Sequence, residues 1–420
     1  MKHRLSVAVV ASLLLSNILI ARDTTTYQTT KLTDHIYELV ADGGGYPVKV
    51  IASVGRDGLL IVDSGEEENG AALVEALLTF NKGLPNVIIN THSHIEHLGG
   101  NVAIGGHRTI IGHANLRDRY INGLYVFNEL PDSVLPNITF TDSMSIFFND
   151  EEIKLIAFPG AHDNSDIIVW FTRSRVICTA ALCNGHHFPS VDGELGDILK
   201  YPETVANVIA RLPEDVRVVP GHGDDCTMNE FRAFHDMLVE TSDIIRTGMG
   251  KGKTLRELQK EDILAEWEPW ELYVDRDSWI RYWFSGIQHP HVASTKKKIY
   301  APIYHAIKHK DVDSAIELYH TLKDTRSGEY EFEERTAMYI GRRLAYIGRD
   351  DDAIKFLNVC IQEHPGTDAA AISQFTIGNI FWNRGNMGAA RGYYRKYLER
   401  FPEDQSIRQR VEEPDNNQKN

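Results

Sequence analysis

Apolar residues in the first half of the chain fall in short runs closed by Gly, Pro, Asn or Asp, the pattern of buried β-strands. Segments 36–40, 48–54 and 59–63 read as strands, with Gly55 and Gly58 punctuating the last two as a hairpin does. The spacing then predicts a helix over 66–81, with Leu73, Val74, Leu77 and Leu78 on one face and Gly83 just past its end. Short strands follow at 87–89 and 109–112, with a helix opening at 114–120. Segments 145–148 and 153–158 flank Asn149-Asp150, a hairpin signal. Segments 167–171 and 175–179 form another across Thr172-Arg173-Ser174, and a helix over 202–211 with Pro202 in its first turn leads into a last strand at 216–219. Strand meanders interleaved with helices predict a layered α/β sandwich.

Three of these strands end in histidine. After 87–89 comes Thr91-His92-Ser93-His94-Ile95-Glu96-His97-Leu98-Gly99-Gly100, which sets three imidazoles and a carboxylate within six residues. After 153–158 comes Pro159-Gly160-Ala161-His162, and after 216–219 comes Pro220-Gly221-His222-Gly223. In extended backbone His92 and His94 project to the same side, while Glu96 and His97 enter the turn that follows. Neutral imidazole and carboxylate are the ligands zinc accepts, at about 2.0–2.2 Å. The bland alternative is a solvated polar turn that happens to carry histidines. His113, by contrast, stands at a helix entry and reads as structural.

On these residues the chain resembles the metallo-β-lactamase superfamily over roughly residues 30–290. The resemblance rests on Asp63 in Leu60-Ile61-Val62-Asp63-Ser64-Gly65, on His92-Ser93-His94-Ile95-Glu96-His97, and on His162 and His222 in their Pro-Gly turns. It implies an αββα sandwich with ligands on loops at one edge of two packed sheets. It also implies a first zinc site from His92, His94 and His162 and a second from Glu96, His97 and His222. Asp63 would orient the histidine loop by hydrogen bonding.

Two departures stand out. The family has Asp where this chain has Glu96, and one extra methylene displaces the carboxylate by about 1.5 Å, beyond the roughly 0.2 Å tolerance of a metal–ligand bond. Either the backbone or rotamer absorbs this, or Glu96 serves instead as a general base. The family's bridging Asp also corresponds to Ala180-Ala181, which cannot ligate. Cys183 is the candidate compensating ligand, against a reading as a small buried hydrophobe. His186 and His187 lie nearby, as compensating ligands or substrate contacts or neither. Asp163, Asn164 and Asp166 are read as shaping the mouth without binding metal.

Composition narrows the rest. The chain has 420 residues, enough for two or three domains, and a net charge of −15 without Lys or Arg clusters, which argues against nucleic acid as a partner. Met1-Lys2-His3-Arg4 followed by apolar residues to Ala21 has the form of a secretory signal, so a periplasmic or secreted protein with no stable membrane span is expected. Four cysteines show no disulfide-scaffold spacing. Aromatic-rich residues 231–287, with Trp267, Trp270, Trp279 and Trp283, read as a helical appendage whose tryptophans pack a core rather than cap the mouth.

Gly341, Ala353 and Pro365 recur as Gly378, Ala390 and Pro402, each 37 residues later, the small-residue pattern of tetratricopeptide repeats with an excess expected in the loop after Pro365. A weaker copy surrounds Ala306, Ala315 and Tyr319. The expected organisation is a signal at 1–21, a catalytic α/β domain at 22–232, a helical appendage at 233–295, an all-α helical-repeat domain at 296–412 and a polar disordered tail at 413–420. The expected function is an exported zinc-dependent hydrolase using metal-activated water on an ester, lactone, amide (β-lactam-like) or related bond of a small-molecule substrate. The helical repeats would take a protein partner or mediate self-association. The alternative is a non-catalytic zinc-binding scaffold whose repeats recruit that partner.

Overall fold

The structure, a computed structural model, describes residues 25–42, 48–121, 130–191, 196–288, 290 and 296–412. The expected signal segment and polar tail lie outside the described residues. In chain order the elements of the first sheet and its helices are β1 (Tyr27–Lys31), β2 (Ile36–Ala41), β3 (Lys49–Gly55), β4 (Gly58–Val62), α1 (Gly70–Leu78), β5 (Val87–Ile89), α2 (Ile95–Leu98), α3 (Asn101–Ile104), β6 (Thr109–His113), α4 (Ala114–Ile121) and β7 (Ile138–Phe140). They are followed by β8 (Ser143–Phe148), β9 (Glu151–Ala157), β10 (Ile167–Phe171), β11 (Val176–Ala180), α5 (Tyr201–Ile209) and β12 (Arg217–Pro220). The first seven strands form one sheet in sequence order, antiparallel as far as β4 and parallel from β4 to β7. The second sheet runs β12-β11-β10-β9-β8, with only β11 and β12 parallel.

Strand alternation produces the layers. Leu60, Val62, Ile89 and Ile111 turn inward to meet Leu155, Val169, Phe171 and Val219 of the second sheet. Their neighbours Leu59, Ile61, Ile88 and Ile110 turn outward, where Leu73 and Leu77 of α1 cover them. On the far side Ile168, Ile177 and Val218 pack against Val205 and Val208 of α5. This is the expected αββα arrangement. Helix α1 is shorter than its apolar run suggested: it starts at Gly70, and Leu78, placed by pattern on the buried face, is 49% exposed. The β8–β9 hairpin turns on Asn149 and Asp150, with φ of 52° and 63°, a pairing that matches the right-handed twist of its strands.

Beyond β12 come α6 (Met228–Gly250), α7 (Leu255–Lys260) and α8 (Arg276–Gln288). Their Phe231, Phe234, Leu238, Trp279 and Trp283 share one apolar core with the outer face of the second sheet. Trp279 donates its indole N–H to Thr241 Oγ1 at 2.9 Å. The chain continues as α9 (Tyr300–His309), α10 (Val312–Arg326), α11 (Thr336–Tyr346), α12 (Asp350–Glu363), α13 (Asp368–Asn383), α14 (Met387–Arg400) and α15 (Gln405–Glu412), with the short strand pair β13 (Lys297–Lys298) and β14 (Tyr330–Glu331).

Gly341 and Gly378 are where neighbouring helices touch: a Cβ on either would stand 2.6 Å from Leu357 or 2.5 Å from Tyr394. The extra residues of the longer period extend a helix instead of the loop after Pro365. Helix α11 has 11 residues with Gly341 sixth, and α13 has 16 with Gly378 eleventh. No described helix is long and apolar enough to cross a membrane.

Candidate metal centre

The histidine loop leaves β5 under tight backbone control. Asp63, just past β4, adopts φ 60°, a left-handed conformation that Asp tolerates, and turns its carboxylate under the loop. It accepts from Thr91 N and Thr91 Oγ1, both at 2.8 Å, and from His97 Nδ1 at 2.7 Å. His94 precedes α2 in extended conformation, and the first turn of that helix carries Glu96 and His97 back over the loop. Gly100 passes so close to Ser64 that a Cβ would sit 2.0 Å from its carbonyl oxygen.

Two groups of ligand atoms result, each lying within 4.8 Å of one another: His92, His94 and His162, and Glu96, His97 and His222. In the first, the rings form a triangle with centroids 4.7–5.0 Å apart. His162 donates Nδ1–H to Ser190 O at 2.8 Å, which leaves a lone pair on Nε2, 3.2 Å from His94 Nδ1. His92 Nε2 is buried and has no hydrogen-bond partner. Burial, and then the surrounding His97, His94, His162 and His222, hold His92 well below the usual histidine range, so it is neutral. In the second group the Asp63 contact fixes the proton of His97 on Nδ1, and its free Nε2 lies 3.1 Å from His222 Nε2.

Ligands at about 2.0 Å in a tetrahedral shell stand about 3.3 Å apart, so both nitrogen pairs fit the edge of such a shell. A buried orphan nitrogen, oriented lone pairs and the neutral His92 imidazole belong to the donor set zinc requires. The extra methylene of Glu96 is absorbed, because its carboxylate lies within the second group and 3.5 Å from His94 Nδ1. Burial pushes the Glu96 carboxyl up, but the hydrogen bond from His94 and the charges of His94 and His97 pull it well below the carboxylate range.

The loop carrying His222 is tied across to the first sheet. Lys49 donates its backbone N–H to Gly221 O at 3.0 Å, and its ammonium, half-enclosed, pairs with Asp225 at 2.6 Å and Glu38 at 3.1 Å. Gly221 is needed where it stands, since a Cβ would meet His97 Cε1 at 2.9 Å. Ala180, the last residue of β11 and beside Gly221, adopts φ 47° and accepts Gly221 N–H at 2.9 Å. It offers no ligand atom.

Cys183 does not take that place. It is fully buried in the outer core, its thiol partnered by Cys226, and burial pushes that thiol far above its ordinary range. Neither ligand group among the described residues contains a cysteine. His186 lies in a tilted ring contact with Trp270, and His187 leaves Nδ1 buried without a partner among the described residues, outside both groups. His113 is structural: its Nδ1 accepts Asn115 N–H at 3.1 Å, and its Nε2 faces Thr141 O at 3.2 Å.

Asp163 and Asp166 are not at the mouth, as their spacing suggested, but wholly buried. Asp163 accepts from Ser93 Oγ at 2.5 Å and pairs with the buried Arg119 of α4, which also contacts Ser93. Tyr120 OH donates to Ser93 O at 2.9 Å. Ser93 stands between His92 and His94, and Asp163 follows His162. This polar clamp therefore joins the ligand loops of the two sheets. Sequence reading missed Arg119 and Lys49; a lone basic residue inside an apolar segment was the only signal for Lys49, and Arg119 stands in a polar helix with no signal of burial.

A cavity of 510 Å³ opens over Glu96, lined by Glu66, Glu67, Glu68, Ile95, Ser190, Tyr273, Val274 and Tyr282. Partial burial, and then Glu68 and Glu96, raise Glu66 above the ordinary carboxyl range.

Residues 43–222, a span that begins after β2 and ends at His222, match the family model of the metallo-beta-lactamase superfamily. A metallo-beta-lactamase type 2 from Bacteroides fragilis is 27% identical over 92 residues, 21% of this chain and 36% of that protein, so the chain spans about a third of that relative's length. An uncharacterized protein from Aquifex aeolicus is 24% identical over 200 residues, 45% of this chain and 92% of its own. Among solved structures, a metallo-beta-lactamase from Pontibacter korlensis aligns with TM-score 0.45 and 17% identity, covering 51% of this chain and 99% of that one. The mono-zinc form of a metallo-beta-lactamase from Pseudomonas aeruginosa aligns with TM-score 0.44 and 16% identity, over 51% and 96%. Both ligand groups lie inside the matched span: the first half of this chain is an α/β sandwich similar to the metallo-β-lactamase superfamily over residues 43–222, and a largely helical region follows it.

Proposed function

We propose that the protein is an exported zinc-dependent hydrolase acting on an ester, lactone, amide or related bond of a small molecule. The observation that carries this is the pair of convergent ligand groups, one of which reaches an open cavity through Glu96. His92, His94 and His162 would hold one ion, and Glu96, His97 and His222 a second. Zinc supplies Lewis acidity and activation of water near neutral pH. The chain's own residues do the rest: Asp63 keeps the proton of His97 away from the ligand nitrogen, and Ser190 does the same for His162. If the second group holds no ion, the ionised Glu96 is placed to accept a proton at the cavity floor.

Export rests on the N-terminal sequence alone, and a tetratricopeptide-like role in self-association or partner capture rests on the Gly, Ala and Pro period together with the helix contacts at Gly341 and Gly378. A non-catalytic zinc scaffold is favoured by one observation, the ligand-free Ala180 beside His97. The test is elemental analysis of the dialysed mature protein beside a hydrolysis panel of esters, lactones and lactams. One or two zinc ions per chain with turnover, both lost in His94→Ala, are expected. A protein that retains no zinc refutes the reading, and retained zinc with no turnover moves it to the scaffold.

A further inference from the structure

We propose that the mouth of the metal centre selects substrates with a positive charge on the part distal to the scissile bond, an ammonium on an apolar or aromatic scaffold, and rejects anionic ones. This rests on the hydrolase reading and names its substrate class. One wall of the cavity is carboxylate: Glu66, Glu67 and Glu68 in the turn between Asp63 and α1, with Glu96 below them. Any cation in the second ligand group takes up the charge of Glu96, and the other three remain. The turn is held in place, not loose. Gly100 N donates to Gly65 O at 2.9 Å, Asn69 Nδ2 to Glu66 Oε2 at 3.4 Å, and Gly99 lies so close that a Cβ would be 2.8 Å from Glu67 N.

The same cavity is lined by Tyr273, Val274 and Tyr282, with Ile95. Ile95 is 36% and Tyr273 45% exposed, so large apolar side chains stand in water at the rim of the site. In a protein of net charge −15, acidic patches are ordinary; this one lines the cavity over Glu96. Some surface carboxylates have basic partners, as in Lys355–Asp313 and Lys323–Glu363. No Lys or Arg lines the cavity, and among the described residues none forms an ion pair with Glu66, Glu67 or Glu68. The internal segments 43–47, 122–129 and 192–195 contain neither Lys nor Arg. Unneutralised carboxylates in a partly enclosed mouth concentrate their field there, and tyrosines in the same lining can attract a cation as well as hydrocarbon. A carboxylate on the substrate meets only repulsion.

The test uses the zinc-loaded full chain and three esters of matched shape: benzoylcholine, its uncharged isostere 3,3-dimethylbutyl benzoate, and the anionic 4-(benzoyloxy)butanoate. The cationic ester should exceed the uncharged one in kcat/KM by about tenfold, equivalent to about 1.4 kcal/mol, and the anionic one should fall below it by a similar factor. The differences should shrink in about 0.5 M salt, where the screening length is a few ångströms, and in Glu67→Gln/Glu68→Gln, which keeps its zinc. Binding of benzyltrimethylammonium and 3-phenylpropionate, followed by calorimetry, is the second readout. Turnover without charge preference, or with the anion preferred, overturns the inference and leaves the hydrolase reading standing. No turnover of any ester, with benzyltrimethylammonium still bound in preference, does the reverse. Equal binding of the two ions overturns the inference whatever the turnover.

Discussion

Asp63→Asn changes one oxygen to an amide nitrogen at constant volume, and at φ 60° Asn is as well tolerated as Asp. The backbone turn is therefore kept while the hydrogen bonding is broken. Three donors now converge on the two carboxylate oxygens, from Thr91 N, Thr91 Oγ1 and His97 Nδ1. An amide has one acceptor atom, so with that oxygen on Thr91 N its NH2 faces His97. The imidazole can accept it only by moving its proton to Nε2, the nitrogen that faces His222 3.1 Å away. With the amide reversed, the NH2 opposes the Thr91 N–H instead, and a buried donor is left without a partner.

Loss of a partner that orients a ligand histidine costs about 10–100-fold in metal affinity, or about 1.4–2.7 kcal/mol. The loss of charge-assisted bonds should also lower the stability of the metal-free protein by about 1–3 kcal/mol. The loss of affinity should be larger at the second group, because Asp63 touches His97 directly but reaches the first group only through Thr91 Oγ1, 3.1 Å from His92 Nδ1, while His162 is held by Ser190. Competitive chelator titration resolves the two sites, and urea unfolding gives the stability. Unchanged affinity at the second site, or equal losses at both, would refute the tautomer argument.

Other changes probe other parts of the molecule. Ala180→Asp puts a carboxylate beside His97 and Gly221 on a left-handed backbone that Asp accepts more readily than Ala; zinc retained after dialysis should rise, and unchanged stoichiometry would count against this placement. In the metal-free protein the depressed pKa of buried His92 means that the unfolded chain binds the extra proton first. Its contribution is present above about pH 6.5 and is lost as pH falls below that, by up to about 1.4 kcal/mol per unit. The urea midpoint between pH 7.5 and 5.5 should then fall more for the wild type than for His92→Gln, and parallel curves would contradict it. Gly378→Ala drives a methyl into Tyr394 and should cost the helical region about 1–2 kcal/mol net of its helix propensity gain, measured by thermal unfolding, while zinc content stays constant.

What could be read from the sequence was local or periodic. Alternating apolar residues located the strands, and a histidine after a strand end is a short-range signal whose meaning survives folding. Leu78 failed because it is the last residue of α1 and stands about 100° round from Leu77, off the stripe of Gly70, Leu73 and Leu77 that the sheet covers. Cys183 was placed by counting two residues on from Ala181, but Ala180 has φ 47°, so the alternation of β11 ends there and the chain swings toward Cys226. Asp163 was legible as polar and not as buried, since its partner Arg119 lies 44 residues earlier on α4. Nothing in local spacing reports a partner at that distance. Glu96 remained open on sequence because one methylene is within what a short helix such as α2 can absorb.

The clamp of Ser93, Arg119 and Asp163 bears on how the protein is supplied with metal. Ligands drawn from two separate sheets would ordinarily be brought into register by the ion itself, and such proteins unfold when it is removed. Here the two ligand loops are already fastened to each other by a buried ion pair and a serine hydroxyl beside the first group. The histidines therefore meet as a consequence of folding, and an ion would enter a finished cradle. Occupancy would then follow the free metal of the surroundings rather than the folding yield, and a chelator should empty a loaded molecule without melting it.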